Sequence, residues 1–201
     1  MTDISVRKIR RVPFEGRKEL IKCLSDSVFT SELKELMKEY PDRDYNDFIL
    51  IAAENKQTDA LLAILSNKKT DIVAVVTAYF TYCFTHYVSS PSYFINTLIK
   101  CHYKNPSLPE AVSLIEDYII AAHRAIVDQF PFGYGALSEI TYMLENNVPH
   151  CNEGKLIDAL LLSLRSTNVL VYVRRYATRL PQQNPLRQRI DNALTVFDII
   201  V

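Results

Sequence analysis

Apolar residues recur along this chain three and four positions apart, the spacing that gathers them on one side of an α-helix. In the segment DYNDFILIAAENKQTDALLAILSN, Asp44 to Asn67, the positions Ile49, Leu50, Ala52 and Ala53, then Leu61, Leu62, Ile64 and Leu65, describe two short antiparallel helices, each burying one side. The same spacing predicts eleven helices in all: Glu15–Leu24, Thr30–Glu39, Asp47–Glu54, Thr58–Ser66, Asp71–Val88, Pro91–Tyr103, Leu108–Gln129, Gly135–Asn146, Glu153–Ser166, Asn168–Leu180 and Pro185–Ile200. No stretch reads better as a strand. The terminal VFDIIV continues a helical pattern from Leu186, Ile190 and Leu194.

The interruptions have physical causes. Pro41 stops the second helix, because the residue before a proline is pushed out of the α region. Pro91 and Pro185 suit the first turn of a helix, where a missing N–H costs nothing, with Ser90 and Asn184 before them as N-caps. Ser107 and Glu110 have the spacing of a capping box. Pro131, Gly133 and Gly135 form a breaker-rich loop. A faint repeat at an offset of about 28 residues aligns Leu20, Ile21 and Leu24 with Phe48, Ile49 and Ala52, and Leu33, Leu36 and Met37 with Leu61, Ile64 and Leu65.

No Asp, Glu, Lys or Arg lies between Asp71 and Lys100. The run IVAVVTAYFTYCFTHYV has roughly the length of a membrane span. Thr77, Thr81, Thr85, His86 and its tyrosines argue instead for a central helix wrapped by others.

Composition agrees with an all-α chain. Only four Gly are present in 201 residues, and glycine costs about 1 kcal/mol inside a helix. Twenty-three basic residues balance 23 acidic ones, so no net field draws the chain to nucleic acid or to a membrane surface. The balance is local rather than uniform: residues 1–26 and 151–201 are net basic, and residues 27–60 are net acidic. Cys23, Cys83, Cys101 and Cys151 are scattered without close pairs, and MTDISVRKIRRV lacks the apolar core of a signal peptide, so a reducing cytoplasm is expected. The expected organisation is a basic arm over 1–14 followed by one all-helical domain over 15–201.

The unit at 44–69 resembles a single ankyrin repeat. Residues 49–55 (ILIAAEN) correspond to its first helix, Lys56 and Gln57 to its turn, 58–65 (TDALLAIL) to its second helix, and 66–69 (SNKK) to its exit. The Thr-Pro-Leu-His opening is missing, and Lys56 stands where the turn glycine belongs. The helices that follow are twice as long as ankyrin helices. The resemblance implies stacked helical pairs, ankyrin-like or α-solenoid-like, merging into a bundle centred on helix 71–88. It also implies binding of another protein through exposed turns, with Lys56, Gln57, Lys68 and Lys69 as contact residues and Asp42, Asp44 and Asp47 beside them. Bacterial effectors delivered into host cells carry degenerate helical repeats of this kind, which would place such a protein in the host cytosol.

Candidate chemistry is sparse. Cysteine and histidine neighbour each other at Cys83/His86, Cys101/His102 and His150/Cys151, but there is no Cys-x-x-Cys, and adjacent helical residues point about 100° apart, so no metal and no cofactor are expected. Cys151, ahead of a helix N-terminus that would lower its pKa, is the candidate nucleophile of an alternative, enzymatic reading centred on Gly133–Gly135 and Cys151. That glycine segment lacks the third glycine and the preceding strand of a phosphate loop. Glu116 and Asp117 are adjacent and face different ways. Arg174, Arg175 and Arg179 offer a second alternative, arginine-mediated binding of phosphorylated ligands, against ion pairing within the chain to partners such as Asp158 or Asp191. Twelve tyrosines and no tryptophan fit interfaces and packing equally. The leading expectation is a non-enzymatic protein–protein interaction module with no membrane span and no nucleic-acid partner.

Overall fold

The computed structural model describes residues 12–86, 92–129 and 136–200. Arg7, Lys8, Arg10 and Arg11 of the basic arm, Tyr87, Ser90 with Pro91, and Pro131, Gly133 and Gly135 lie outside the described residues, as does the side chain of His86. The chain is all-α. Among the described residues there are eleven α-helices and no strand: α1 Phe14–Lys22, α2 Asp26–Glu39, α3 Ile49–Glu54, α4 Thr58–Leu65, α5 Ile72–His86, α6 Ser92–His102, α7 Leu108–Gln129, α8 Leu137–Glu145, α9 Glu153–Leu161, α10 Thr167–Arg179 and α11 Pro185–Ile200, with a 3-10 turn at Asn46–Phe48 leading into α3. No helix among them is long and apolar enough to cross a membrane.

Two helix ends depart from the expected spans by more than two residues. α2 starts at Asp26 because the extended Ser25 already accepts the N–H groups of Val28 and Phe29, each at 2.9 Å. α9 stops at Leu161. Ser163 turns its hydroxyl and its N–H onto Leu160 O (3.0 and 2.9 Å), a local bond that competes with helix continuation. Asn184 caps α11 as expected, its Oδ1 accepting the Leu186 N–H at 2.8 Å. At α7 the Ser107 N–H goes to Asn105 Oδ1 at 2.9 Å, the bond that Glu110 would make in a capping box.

By contacts the described residues fall into two compact units, divided in sequence between Ala111 and Val112. In the first, α1 packs on α2, α2 on α4 and α3 on α4, so the N-terminal third consists of helical pairs. Ile21, Phe29, Leu33, Leu36, Phe48, Ala52, Leu61 and Ile64 are buried between them, each large side chain contributing about 1.5–3 kcal/mol of transfer free energy. The equivalence of Leu20 with Phe48 fails: Leu20 is exposed and Phe48 buried. The charge-free α5 is not the centre of a separate bundle. It packs on α3 and α4 in this same unit, with Val75, Val76, Tyr79 and Phe80 inward and Thr77 and Thr81 exposed, so among the described residues it is buried on one face only. Tyr79 stacks on Phe94 of α6 with ring centroids 4.2 Å apart.

In the second unit α9 packs against α8, α10 and α11, and α10 against α11. Its core gathers Ile115, Ile140, Met143, Leu156, Leu160, Val169, Val173 and Ile190. Residues 112–129 of α7 present Val112, Ile115, Ile119 and Ile120 as a buried stripe, and Glu116 and His123 fall within it.

Candidate functional site

Three groups of side chains bear on function. The first lies where the chain enters α3 and leaves α4. Tyr45 anchors the entry loop, its hydroxyl 2.8 Å from Tyr40 O and 3.1 Å from Leu36 O. Asn46 N–H bonds Asp44 Oδ1 at 2.9 Å, and Asn46 Oδ1 in turn accepts the Asp71 N–H at 3.1 Å. Asn67 donates its amide to Pro41 O at 3.2 Å and accepts the Lys69 N–H at 2.8 Å. Thr70 is buried and donates to Ile64 O. Side-chain bonds thus tie segment 41–46 to segment 67–71 and leave Asp42, Asp44, Lys68 and Lys69 exposed around them. Lys68 and Lys69 make no ion pair among the described residues. Asp47 is held by Lys18 and Lys22 of α1 at 2.9 and 3.0 Å. Burial alone would raise its carboxyl, but the two ammonium groups hold it at about 2.

Lys56 and Gln57 belong to the other end of the pair. The eight residues of α4 separate them from Lys68, a rise of about 12 Å. Lys56 is exposed with φ of 57°, the left-handed residue that closes α3, with Gln57 N–H on Ala52 O (2.8 Å) and its own N–H on Ala53 O (3.1 Å). Gln57 is only 9% exposed, and its carbonyl oxygen accepts the Thr30 hydroxyl, so its side chain faces α2 and not solvent. The seven turn residues named from sequence therefore form no single face.

The second group lies in the C-terminal unit. Arg175 and Arg179 share a face of α10, and both rest on Glu145 Oε1 of α8, at 3.2 and 3.1 Å. Arg174 pairs with Asp198 at 2.7 Å on α11. Asp158 and Asp191 pair with Arg189 (2.7 Å) and Arg187 (3.5 Å). All three arginines named from sequence are thus engaged within the chain. Beside Glu145 a groove of about 440 Å³ runs between α8 and α10, walled by Leu137, Asn168, Val171, Tyr172 and Arg175. Tyr172 and Tyr176 pack with ring centroids 6.0 Å apart. Tyr176 reaches Glu153 at 3.3 Å, whereas the buried Tyr172 hydroxyl has no hydrogen-bond partner. Burial, with Glu145 adding to it, pushes that phenol far above its ordinary value.

The third group corrects the expected nucleophile. Val148, Pro149, His150 and Cys151 make a tight turn with His150 at φ 63° and Cys151 N–H on Val148 O at 3.1 Å. The Glu116 carboxylate, 2% exposed, accepts the Asn152 N–H beside Cys151. Burial first, then Glu116 and Glu153, push the thiol up to about 12, the opposite of activation by a helix N-terminus. Glu116 and Asp117 do face different ways: Asp117 is exposed and pairs with Lys155. A carboxylate inside an apolar stripe, at Glu116 between Val112, Ile115, Ile119 and Ile120, was the available signal for this anchor.

His102 and His123 are structural. His102 Nε2–H donates to Leu65 O at 2.6 Å, while its neighbour Cys101 is exposed. His123 Nε2–H donates to Ser163 Oγ at 2.9 Å, and its Nδ1 has no well-formed hydrogen bond among the described residues. Among the described residues no three His, Cys, Asp or Glu side chains gather as a metal would need. Compared with known proteins, the chain matches no family model, no curated protein and no solved structure.

Proposed function

We propose that this protein is a non-enzymatic interaction module that binds another protein through the exposed end of its N-terminal helical pairs, around Asp42, Asp44, Lys68 and Lys69. One observation supports this most: the two loops carrying these residues are held by Asn46, Asn67 and Thr70, while the charges themselves stay exposed and the lysines make no ion pair among the described residues. A preorganised, charged surface loses little entropy on binding. Opposite charges side by side favour a partner of matching pattern over nonspecific polyanions.

The raised Cys151 thiol counts against the enzymatic alternative, and the internal pairing of Arg174, Arg175 and Arg179 counts against a phosphate-binding cluster. An ankyrin-like ancestry and a role as a bacterial effector in the host cytosol remain compatible with this reading and are part of the proposal. The test is affinity capture from source and eukaryotic lysates with Lys68→Glu/Lys69→Glu and, separately, Lys56→Glu. A stoichiometric partner retained by wild type and by Lys56→Glu, and lost by the double variant, is the expected result. A partner lost only with Lys56→Glu moves the contact to the other end of the pair, and no partner at all sinks the reading.

A further inference from the structure

The groove between α8 and α10 has features that the packing of its own unit does not use. Arg175 and Arg179 converge on one oxygen of one carboxylate, so two guanidinium charges meet a single negative charge. A guanidinium carries five N–H donors in a planar fork, and Arg175 spends one nitrogen of its fork on Glu145. Tyr172, only 8% exposed, lines the same groove with a buried hydroxyl that bonds to none of the described residues. Buried hydroxyls in native proteins nearly always have partners. The Ser138 and Thr141 hydroxyls, also in the wall, are already committed to Glu139 and to Ser138 O. What the groove leaves open is an acceptor for the Tyr172 hydroxyl and a further acceptor for the Arg175 fork.

We propose that this groove binds an acidic–hydrophobic peptide segment of a partner protein, seating one Asp or Glu carboxylate on Arg175 beside the Tyr172 hydroxyl. Bidentate pairing with a guanidinium suits a carboxylate. A phosphate dianion carries more charge than the single excess positive charge, and Glu145 in the wall opposes it. The flanks select the rest of the ligand: Val171, exposed on α10, and Leu137 on α8 offer aliphatic contact on either side. At about 440 Å³ the groove lies within the roughly 300–1,000 Å³ of ligand sites. This surface belongs to the C-terminal unit and is independent of the charged end proposed above.

The full chain, labelled with ¹⁵N, would be titrated with the peptide Ac-Leu-Glu-Leu-NH₂, with Ac-Leu-Gln-Leu-NH₂ and with inorganic phosphate. Expected are saturable shifts confined to 137–145 and 168–175 with the Glu peptide. The Gln peptide and phosphate should bind roughly tenfold more weakly, the loss of one charge-assisted contact. Tyr172→Phe keeps the ring packing and should weaken the Glu peptide several-fold. Arg175→Gln should erase the preference for Glu over Gln, and Lys68→Glu/Lys69→Glu should change nothing. Equal affinity for the two peptides, tighter phosphate binding, shifts elsewhere, or no saturation by roughly 10 mM would overturn the proposal.

Discussion

At Lys56 the backbone adopts φ of 57° to close α3, a conformation that any side chain with a β-carbon resists. Asn147, at φ 47°, ends α8 in the same way, with Val148 N–H returning to Met143 O. Asparagine tolerates this region better than lysine. Lys56→Gly should therefore raise stability by about 0.5–1 kcal/mol, read as a higher urea midpoint at unchanged slope. Asn147→Gly should gain less. The cysteines separate just as clearly. Cys23 and Cys101 are exposed, whereas Cys151 is a thiol held at about 12. Only thiolates attack alkylating reagents, so at pH 8 Cys151 should label roughly a hundredfold more slowly than Cys23 or Cys101. Peptide mapping after timed quenching measures this directly.

Among the elements, α7 shows what spacing reveals and what it hides. Its apolar stripe was legible from Val112, Ile115, Ile119 and Ile120, as were the existence and order of the eleven helices. The polar residues in that stripe were not given weight, although their positions placed Glu116 and His123 on the buried side. Their partners, Asn152 and Ser163, are 36 and 40 residues away, and helical spacing carries no information at that range. The early end of α9 was hidden for the same reason, because Ser163 there answers to Leu160 and to His123. The candidate surfaces were legible as residue types only. Lys56 and Lys68 fall within one repeat-like segment, yet a helix sets them at opposite ends. Gln57 reads as a turn residue until Thr30 is seen against it. The Glu116 anchor has a measurable value. Glu116→Gln keeps the shape and removes the charge that receives the Asn152 N–H, and should cost about 1–2 kcal/mol. It should also speed Cys151 labelling, since the carboxylate no longer opposes the thiolate.

For the whole molecule, His123 gives stability a dependence on pH between pH 8 and pH 5. Burial holds its imidazole below the ordinary 6.5, the Arg124 charge adding to this and the Ala159 carbonyl opposing it. An unfolded chain takes up a proton near 6.5 that the folded chain refuses. Stability is therefore complete above that pH and falls as the pH drops, by up to about 1.4 kcal/mol per pH unit for this one proton. The fall continues until the folded imidazole itself titrates. Urea unfolding between pH 8 and pH 5 should show this decline, and His123→Gln should flatten it while lowering stability at pH 8. The charged end of the N-terminal unit has the opposite economy. There the frame is made by asparagines, a threonine, the Asp44 carboxylate and backbone, and Asp42, Lys68 and Lys69 hang from it without taking part. On the proposed reading, the side chains offered to a partner at 42, 68 and 69 are not those that hold the loops, so the surface can change its pattern without loosening its support. Exchanges at 42, 68 and 69 should leave stability nearly unchanged, whereas loss of Asn46 or Asn67 should not.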